Sequence, residues 1–192
     1  MDDSSRDDAQ LMLDYAGGNA RAFELLYARH RAALYRYLMR HARDPELAND
    51  LFQEVWGRVI AARSRYEPRA KFQTFLFTLA HNCFIDHCRR SAVRPRGTSI
   101  DDTDTADTLA APDHSRPDVE LERADNSARY RAALAALPAE QRDVFLLHEE
   151  SALSVEEIAK VVGVGAETAK SRLRYAVNKL KRALTPAAGE LR

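Results

Sequence analysis

Near the C-terminal end of the chain, Lys170, Ser171, Arg174, Asn178 and Lys181 recur at spacings that place them on one side of a helix turning by about 100° per residue. The opposite side carries Ala169, Leu173, Ala176, Val177, Leu180 and Leu184. Such a helix can bury its apolar side and lay its cations on a polyanion, neutralising phosphates or donating to the edges of bases. Just upstream, Ser154-Val155-Glu156-Glu157 has the spacing of a capping box, in which the serine hydroxyl takes an amide hydrogen and the glutamate reaches back. Val155, Ile158, Ala159 and Val162 give the capped helix a buried stripe, and Gly163-Val164-Gly165 supplies a tight turn in which glycine takes a positive φ cheaply. A short helix, a glycine turn and a basic second helix form the geometry that seats a recognition helix in the major groove. The alternative is a helical hairpin whose charges are merely solvated. The agreement of cap, turn and basic face favours a DNA-binding helix-turn-helix.

The elements around this motif are helical throughout. Ala133, Leu134 and Leu137 lead up to a break at Pro138, and AEQRDVFLLHEE follows with Val144, Phe145 and Leu147 inward. A first block of three or four helices precedes them. Ala22, Phe23, Leu25, Leu26, Leu34, Tyr37 and Leu38 recur at helical spacing, and Asp44-Pro45 reads as a cap followed by the first helical residue. Leu47, Leu51, Val55 and Val59 stripe the next helix, which ends near Arg63. SRYEPRAKF is a loop, and a further helix runs from about Gln73 to Arg90 with Phe75 and Phe84 expected in the core. Between the blocks, residues 93–118 are rich in Pro, Asp and Thr and lack an apolar period, the composition of a flexible linker. The expected fold is therefore all-α. An acidic extension (1–19) precedes one small helical domain (20–92), and an acidic linker (93–120) leads to a helix-turn-helix domain (121–185) and a tail (186–192).

Charge follows the same division. The 29 basic and 29 acidic residues cancel, yet residues 20–96 hold fifteen bases against seven acids, whereas residues 97–128 hold nine acids against two bases. Two basic blocks around an acidic spacer point to a polyanion more than the overall balance does. No apolar run reaches the about 18 residues that a membrane span needs, and MDDSSRDDAQ has no signal-peptide core. The two cysteines, Cys83 and Cys88, make no disulfide framework, which suits a reducing cytoplasm. His81, Cys83, His87 and Cys88 invite a zinc reading, but their side chains spread around a helix, so neither metal nor cofactor is expected. No phosphate loop, nucleophile motif or carboxylate pair suggests an enzyme.

DPELANDLFQEVWGRVI (44–60), FQTFLFTLAHNCFIDHCRR (72–90) and the stretch from Leu137 to Leu184 together resemble bacterial sigma factors of the extracytoplasmic-function (group IV) class, over nearly the whole chain. The first block then resembles region 2 and the last region 4. The resemblance implies that the helix with Asp50, Gln53, Glu54 and Trp56 docks on the β′ clamp helices of core RNA polymerase, with Trp56 as an aromatic anchor. It also implies that the loop from Arg65 to Phe72 and the following helix read and open the promoter −10 element. There Arg65, Arg69, Lys71, Arg89 and Arg90 would follow phosphates, and Tyr66, Phe72 and Asn82 would stack or hydrogen-bond an unstacked base. Phe72 is divided between that role and the core.

In region 4 the implied −35 contacts are Lys170, Ser171, Arg174 and Tyr175, with Arg172 and Lys181 beside them. Implied partners are core polymerase (β′ clamp helices and β flap) and promoter DNA, with an anti-sigma factor as a further candidate and no membrane insertion. One departure stands out: Glu167-Thr168-Ala169 replaces the family's usual Gly-Thr-Val, which puts the promoter sequence in question. The competing readings are a stand-alone operator-binding regulator, which leaves the first block unexplained, and a first block that is purely a protein-interaction module. Without a partner, the two blocks are expected to move independently unless their basic faces mask each other.

Overall fold

The protein is described from a computed structural model covering residues 6–93 and 117–185, with side chains described for 6–92 and 126–185. The first unit comprises α1 (Asp8–Ala16), α2 (Ala20–Ala42), α3 (Pro45–Ala62) and α4 (Phe72–Val93), with a 3-10 turn at Arg63–Arg65. The second comprises α5 (Pro117–Ala135), α6 (Ala139–Ser151), α7 (Val155–Val162) and α8 (Ala166–Leu184). No strand occurs among the described residues. Helices α4 and α5 extend into the two ends of the expected linker, and the rest of that segment lies outside the described residues, as does the tail.

Local chemistry sets the helix ends. Asn19 caps α2 by accepting from the Arg21 amide, and Asp44 caps α3 by accepting from the Glu46 amide, with Pro45 in the first turn. The N-terminal segment, expected to be only an acidic extension, instead contributes α1 to the core. Leu11 and Met12 are fully buried against α2, and Asp8 is consumed by Arg29 at 2.5 Å and His30 at 2.7 Å. Burial pushes the Asp8 carboxyl up, but these two partners outweigh it and hold it below its usual range.

The two units do not stand apart. Helix α6 lies between α2 and α8, and α7 between α4 and α8, so that one apolar core runs from Leu11 to Leu180. The reason lies in α6, where Val144, Phe145, Leu146 and Leu147 are all buried, more apolar surface than one face can hide. Its two inward acids find partners in the first unit. The Tyr37 hydroxyl donates to Asp143 Oδ1 at 2.8 Å, and His41 Nε2 and His81 Nδ1 approach the same carboxylate at 3.3 and 2.9 Å. Two turns further on, Glu150, only 4% exposed, receives Arg36 at 2.7 Å and Arg40 at 2.8 Å. Arg40 also lies 5.6 Å from the centre of the Tyr130 ring of α5. Burial pushes the Asp143 carboxyl up, yet His41 and His81 hold it well below the ordinary carboxylate range. For His41 burial wins over Asp143, and its imidazole titrates below its usual value.

Candidate nucleic-acid interface

The helix-turn-helix is built as its residues dictate. The Ser154 side chain accepts from the Glu157 amide at 3.3 Å, and the Ser154 amide donates to Glu157 Oε2 at 2.8 Å, completing the capping box. Gly163 ends α7 in the left-handed region at φ 68°, whereas Gly165 sits at φ −69° as the residue that opens α8. Ile158, Ala159 and Val161 of α7 meet Ala169, Ala176 and Leu180 of α8 in the core. That packing turns Lys170, Arg174, Tyr175, Asn178 and Lys181 to solvent. Tyr175 is 51% exposed, and the Arg174 guanidinium lies 5.3 Å from its ring centre, so the two present a joint cationic-aromatic surface. Ser171 is half-buried at the edge of this face. Arg172 departs from the expected set, because it turns back to α6 and pairs with Glu140 at 2.5 Å.

In the first unit, the loop before α4 and the outer side of α4 gather the other candidates. Arg65, Arg69, Asn82, Arg89 and Arg90 are exposed, with Arg69 paired to Glu67 at 2.5 Å. Asn82 and Arg89 are seven residues apart and share a face. Phe72, only 1% exposed, is core, since it opens α4 facing His30 at 5.3 Å. Phe75, expected in the core, is half-buried on the face of Asn82 and packs edge-on to half-buried Tyr66 at 5.3 Å. The aromatic surface beside the basic loop is therefore Tyr66 with Phe75. Phe84 is likewise half-buried, 4.7 Å from the His41 ring. Lys71 reaches across to the second unit and pairs with Glu157, the capping-box acid, at 3.1 Å.

The outer face of α3 shows Asp50 and Gln53 exposed, with Glu54 half-buried between Arg58 at 2.6 Å and Arg90 at 3.9 Å. Trp56 is not on that face. It is 5% exposed and sits among Phe23, Tyr27 and Phe52, with ring centres 5.0–6.3 Å away. The apolar side chain that shares the exposed side of α3 is Ile60, 41% exposed. The His81 to Cys88 cluster diverges: His81 turns to Asp143, His87 lies by Ser91, Cys88 is exposed and Cys83 is buried, its thiol pushed up to about 11 chiefly by burial. No group of three or more metal-ligating side chains converges among the described residues.

Residues 26–94 match the family model for sigma-70 region 2, and residues 127–180 that for sigma-70 region 4. The chain is 33% identical to the RNA polymerase sigma factor CarQ of Myxococcus xanthus, over 88% of this chain and 93% of that one. It is also 33% identical to the ECF RNA polymerase sigma factor SigL of Mycobacterium tuberculosis, over 86% of this chain and 90% of that one. The chain belongs to the extracytoplasmic-function class of RNA polymerase sigma factors.

The fold agrees with two solved structures. CnrH in complex with the cytosolic domain of CnrY superposes with a TM-score of 0.65 at 24% identity, covering 92% of this chain and 96% of that one. The Bartonella quintana sigma factor RpoE bound to the anti-sigma factor NepR gives 0.63 at 22% identity, covering 84% and 96%. Region 2 accordingly spans α2 to α4, and α1 packs on it from outside the matched stretch. Region 4 takes in the C-terminal part of α5 from residue 127, together with α6 and α7 and the greater part of α8. Members of this family direct transcription initiation by RNA polymerase, and no described helix here is long and apolar enough to cross a membrane.

What sequence reasoning missed is the set of residues that joins the regions: Tyr37, His41, His81, Asp143 and Glu150. A signal was present, since Asp143 and Glu150 lie seven residues apart and flank the run VFLLHE, so two acids share one face of a helix too apolar to be solvated.

Proposed function

We propose that the chain acts by binding, not catalysis, in the cytoplasm, as the promoter-reading subunit of a polymerase holoenzyme. In this reading Lys170, Ser171, Arg174, Tyr175 and Lys181 contact the −35 element. Arg65, Arg69, Asn82, Arg89 and Arg90, with the Tyr66–Phe75 pair, meet the −10 element as it opens. Asp50, Gln53 and Glu54, with Ile60 in place of the buried Trp56, face core polymerase. The observation that carries the reading is the outward surface of α8, which is basic and aromatic on a helix whose other side is held by a capped, glycine-turned partner.

The docked arrangement gives this proposal a conformational requirement. A compact chain of this length has a radius of gyration of about 16 Å. Sites named for positions −35 and −10 lie roughly 80 Å apart at about 3.4 Å per base pair. Gripping both therefore requires α6 and α7 to part from α2 and α4, releasing Lys71 from Glu157. Binding of core polymerase is the step that supplies the separation. An anti-sigma partner belongs to the same proposal, since RpoE of Bartonella quintana was solved in complex with the anti-sigma factor NepR.

The test is transcription with purified core polymerase and the full chain on a library of promoter fragments. Initiation from a defined subset, lost on Arg174→Ala together with Lys170→Ala, is expected. Absence of initiation anywhere, combined with tight duplex binding by the chain alone, overturns the reading in favour of a stand-alone regulator.

A further inference from the structure

On the outward face of α8 one residue has the wrong charge for a phosphate contact. Glu167 is the single acid of that helix, and it occupies its second position, after the opening Gly165 and Ala166. At about 100° per residue, Arg174 and Asn178 lie within roughly 20° of it around the axis, so Glu167 stands at the centre of the outward face. Its side chain is 90% exposed, and among the described residues its one ion-pair contact is Lys170 at 4.0 Å, the neighbour on the same face. Two other acids of this unit are occupied elsewhere: Glu157 by the capping box and Lys71, and Glu140 by Arg172. Among the described residues Glu167 closes no ion pair or hydrogen bond between the two units.

A recognition helix meets base edges with its N-terminal residues, which is where Glu167 sits. A carboxylate only accepts hydrogen bonds, and in the major groove two bases offer donors, cytosine through its N4 amino group and adenine through N6. Adenine sets its N7 acceptor beside that donor, where the second oxygen of a carboxylate is repelled. Cytosine offers the N4 donor with no acceptor beside it on the same base. Elsewhere on the duplex the carboxylate meets phosphate and is repelled.

Resting on the reading of α8 as the −35 helix, we propose that Glu167 is a specificity-determining residue, accepting a hydrogen bond from the N4 amino group of a cytosine in the −35 element. Arg174, two turns along the same face, reaches the neighbouring bases or phosphates. The competing role for Glu167 is purely structural, an acid that favours the positive end of the α8 dipole.

Initiation by the full chain with core polymerase, selected from promoters randomised through the −35 element, separates the two roles. The native protein is expected to enrich cytosine over thymine at one position by about 5- to 150-fold, the range that one good base-edge contact gives. Glu167→Ala should flatten that position alone. Glu167→Gln, which can both donate and accept, should move it toward adenine. Glu167→Asp keeps the charge at the helix end but withdraws the carboxylate by one methylene, and should flatten it as Ala does. If Glu167→Ala and Glu167→Asp initiate with the native base profile, the proposal is overturned. It is overturned equally if Glu167→Ala lowers initiation evenly across all sequences, together with its melting temperature, while Glu167→Asp restores both. Failure of the native chain to initiate on any template overturns the functional reading itself, and is distinct from an unchanged profile.

Discussion

The Tyr37 hydroxyl and the Asp143 carboxylate meet at 2.8 Å across 106 residues of sequence, tying α2 of region 2 to α6 of region 4. The phenol is fully buried, and burial, with the nearby Asp143 charge, pushes its ionisation well above the usual range, so it remains a donor. Tyr37→Phe keeps the ring and deletes the donor, leaving the carboxylate to His41 and His81. Leaving a buried acceptor short of a donor costs about 1–3 kcal/mol. The expected result is a loss of that order in urea unfolding, with a larger radius of gyration in solution scattering as the regions part. Unchanged scattering and stability would show that this contact does not hold them.

Acid should loosen the same junction. Asp143 faces Tyr37 and His41 from α2 and His81 from α4, with Arg142 beside it on α6. His41 titrates lower in the folded protein than in the unfolded chain, so below its ordinary value of about 6.5 the unfolded state binds the extra proton and stability falls with pH. The depressed Asp143 carboxyl adds stability that is complete above about pH 4 and is lost at still lower pH, as the folded group protonates. Unfolding free energy measured from pH 8 to 5 should therefore decline with pH, and His41→Gln should flatten the decline near 6. A slope of opposite sign would contradict the assignment.

Phe72 and Asn82 should separate stability from promoter opening. Phe72 is core, and Phe72→Ala is expected to cost about 3–5 kcal/mol. Asn82 is exposed on α4, so Asn82→Ala should leave stability within about 0.5 kcal/mol. If Asn82 serves the −10 element, its variant will still bind core polymerase but will open promoters poorly, read by permanganate reactivity of unpaired thymines. Full opening by Asn82→Ala would remove it from the site.

On duplex −35 DNA the α8 cations should show in the salt dependence. Removing a side chain that neutralises one phosphate reduces the slope of log K against log salt by about 1. Lys170→Ala and Arg174→Ala are each expected to lower it by that amount if they touch phosphate. An unchanged slope with a relaxed base preference would assign that side chain to a base edge instead. Arg172→Ala, whose guanidinium is engaged by Glu140, should change the slope least.

The helix-turn-helix was legible because its determinants are local: a capping box, one left-handed glycine and a clean division of polar and apolar faces. The same holds for the Asp44-Pro45 start of α3. Periodicity names the residues that share a face but not which face a neighbouring helix will cover. For that reason Trp56, expected as a contact residue, and Phe72, divided between contact and core, are both buried, while Ile60 and Phe75 take the more exposed positions. Helix α1 was hidden by its acids, since Leu11 and Met12 are few apolar residues in a strongly charged stretch and Asp8 finds its partners only on α2. The union of the two regions was illegible for a similar reason. Tyr37, His41, His81, Asp143 and Glu150 acquire meaning only when distant segments are brought together.

Helix α6 answers to two neighbours at once, α8 behind it and α2 before it. Parts with a shared wall cannot be exchanged freely. A grafted region 4 whose α6 lacks acids at the places of Asp143 and Glu150 would leave Arg36, Tyr37, Arg40, His41 and His81 without their counterparts. Such a graft would lose the closed form, so the outer wall of α6 belongs as much to the first unit as to the second.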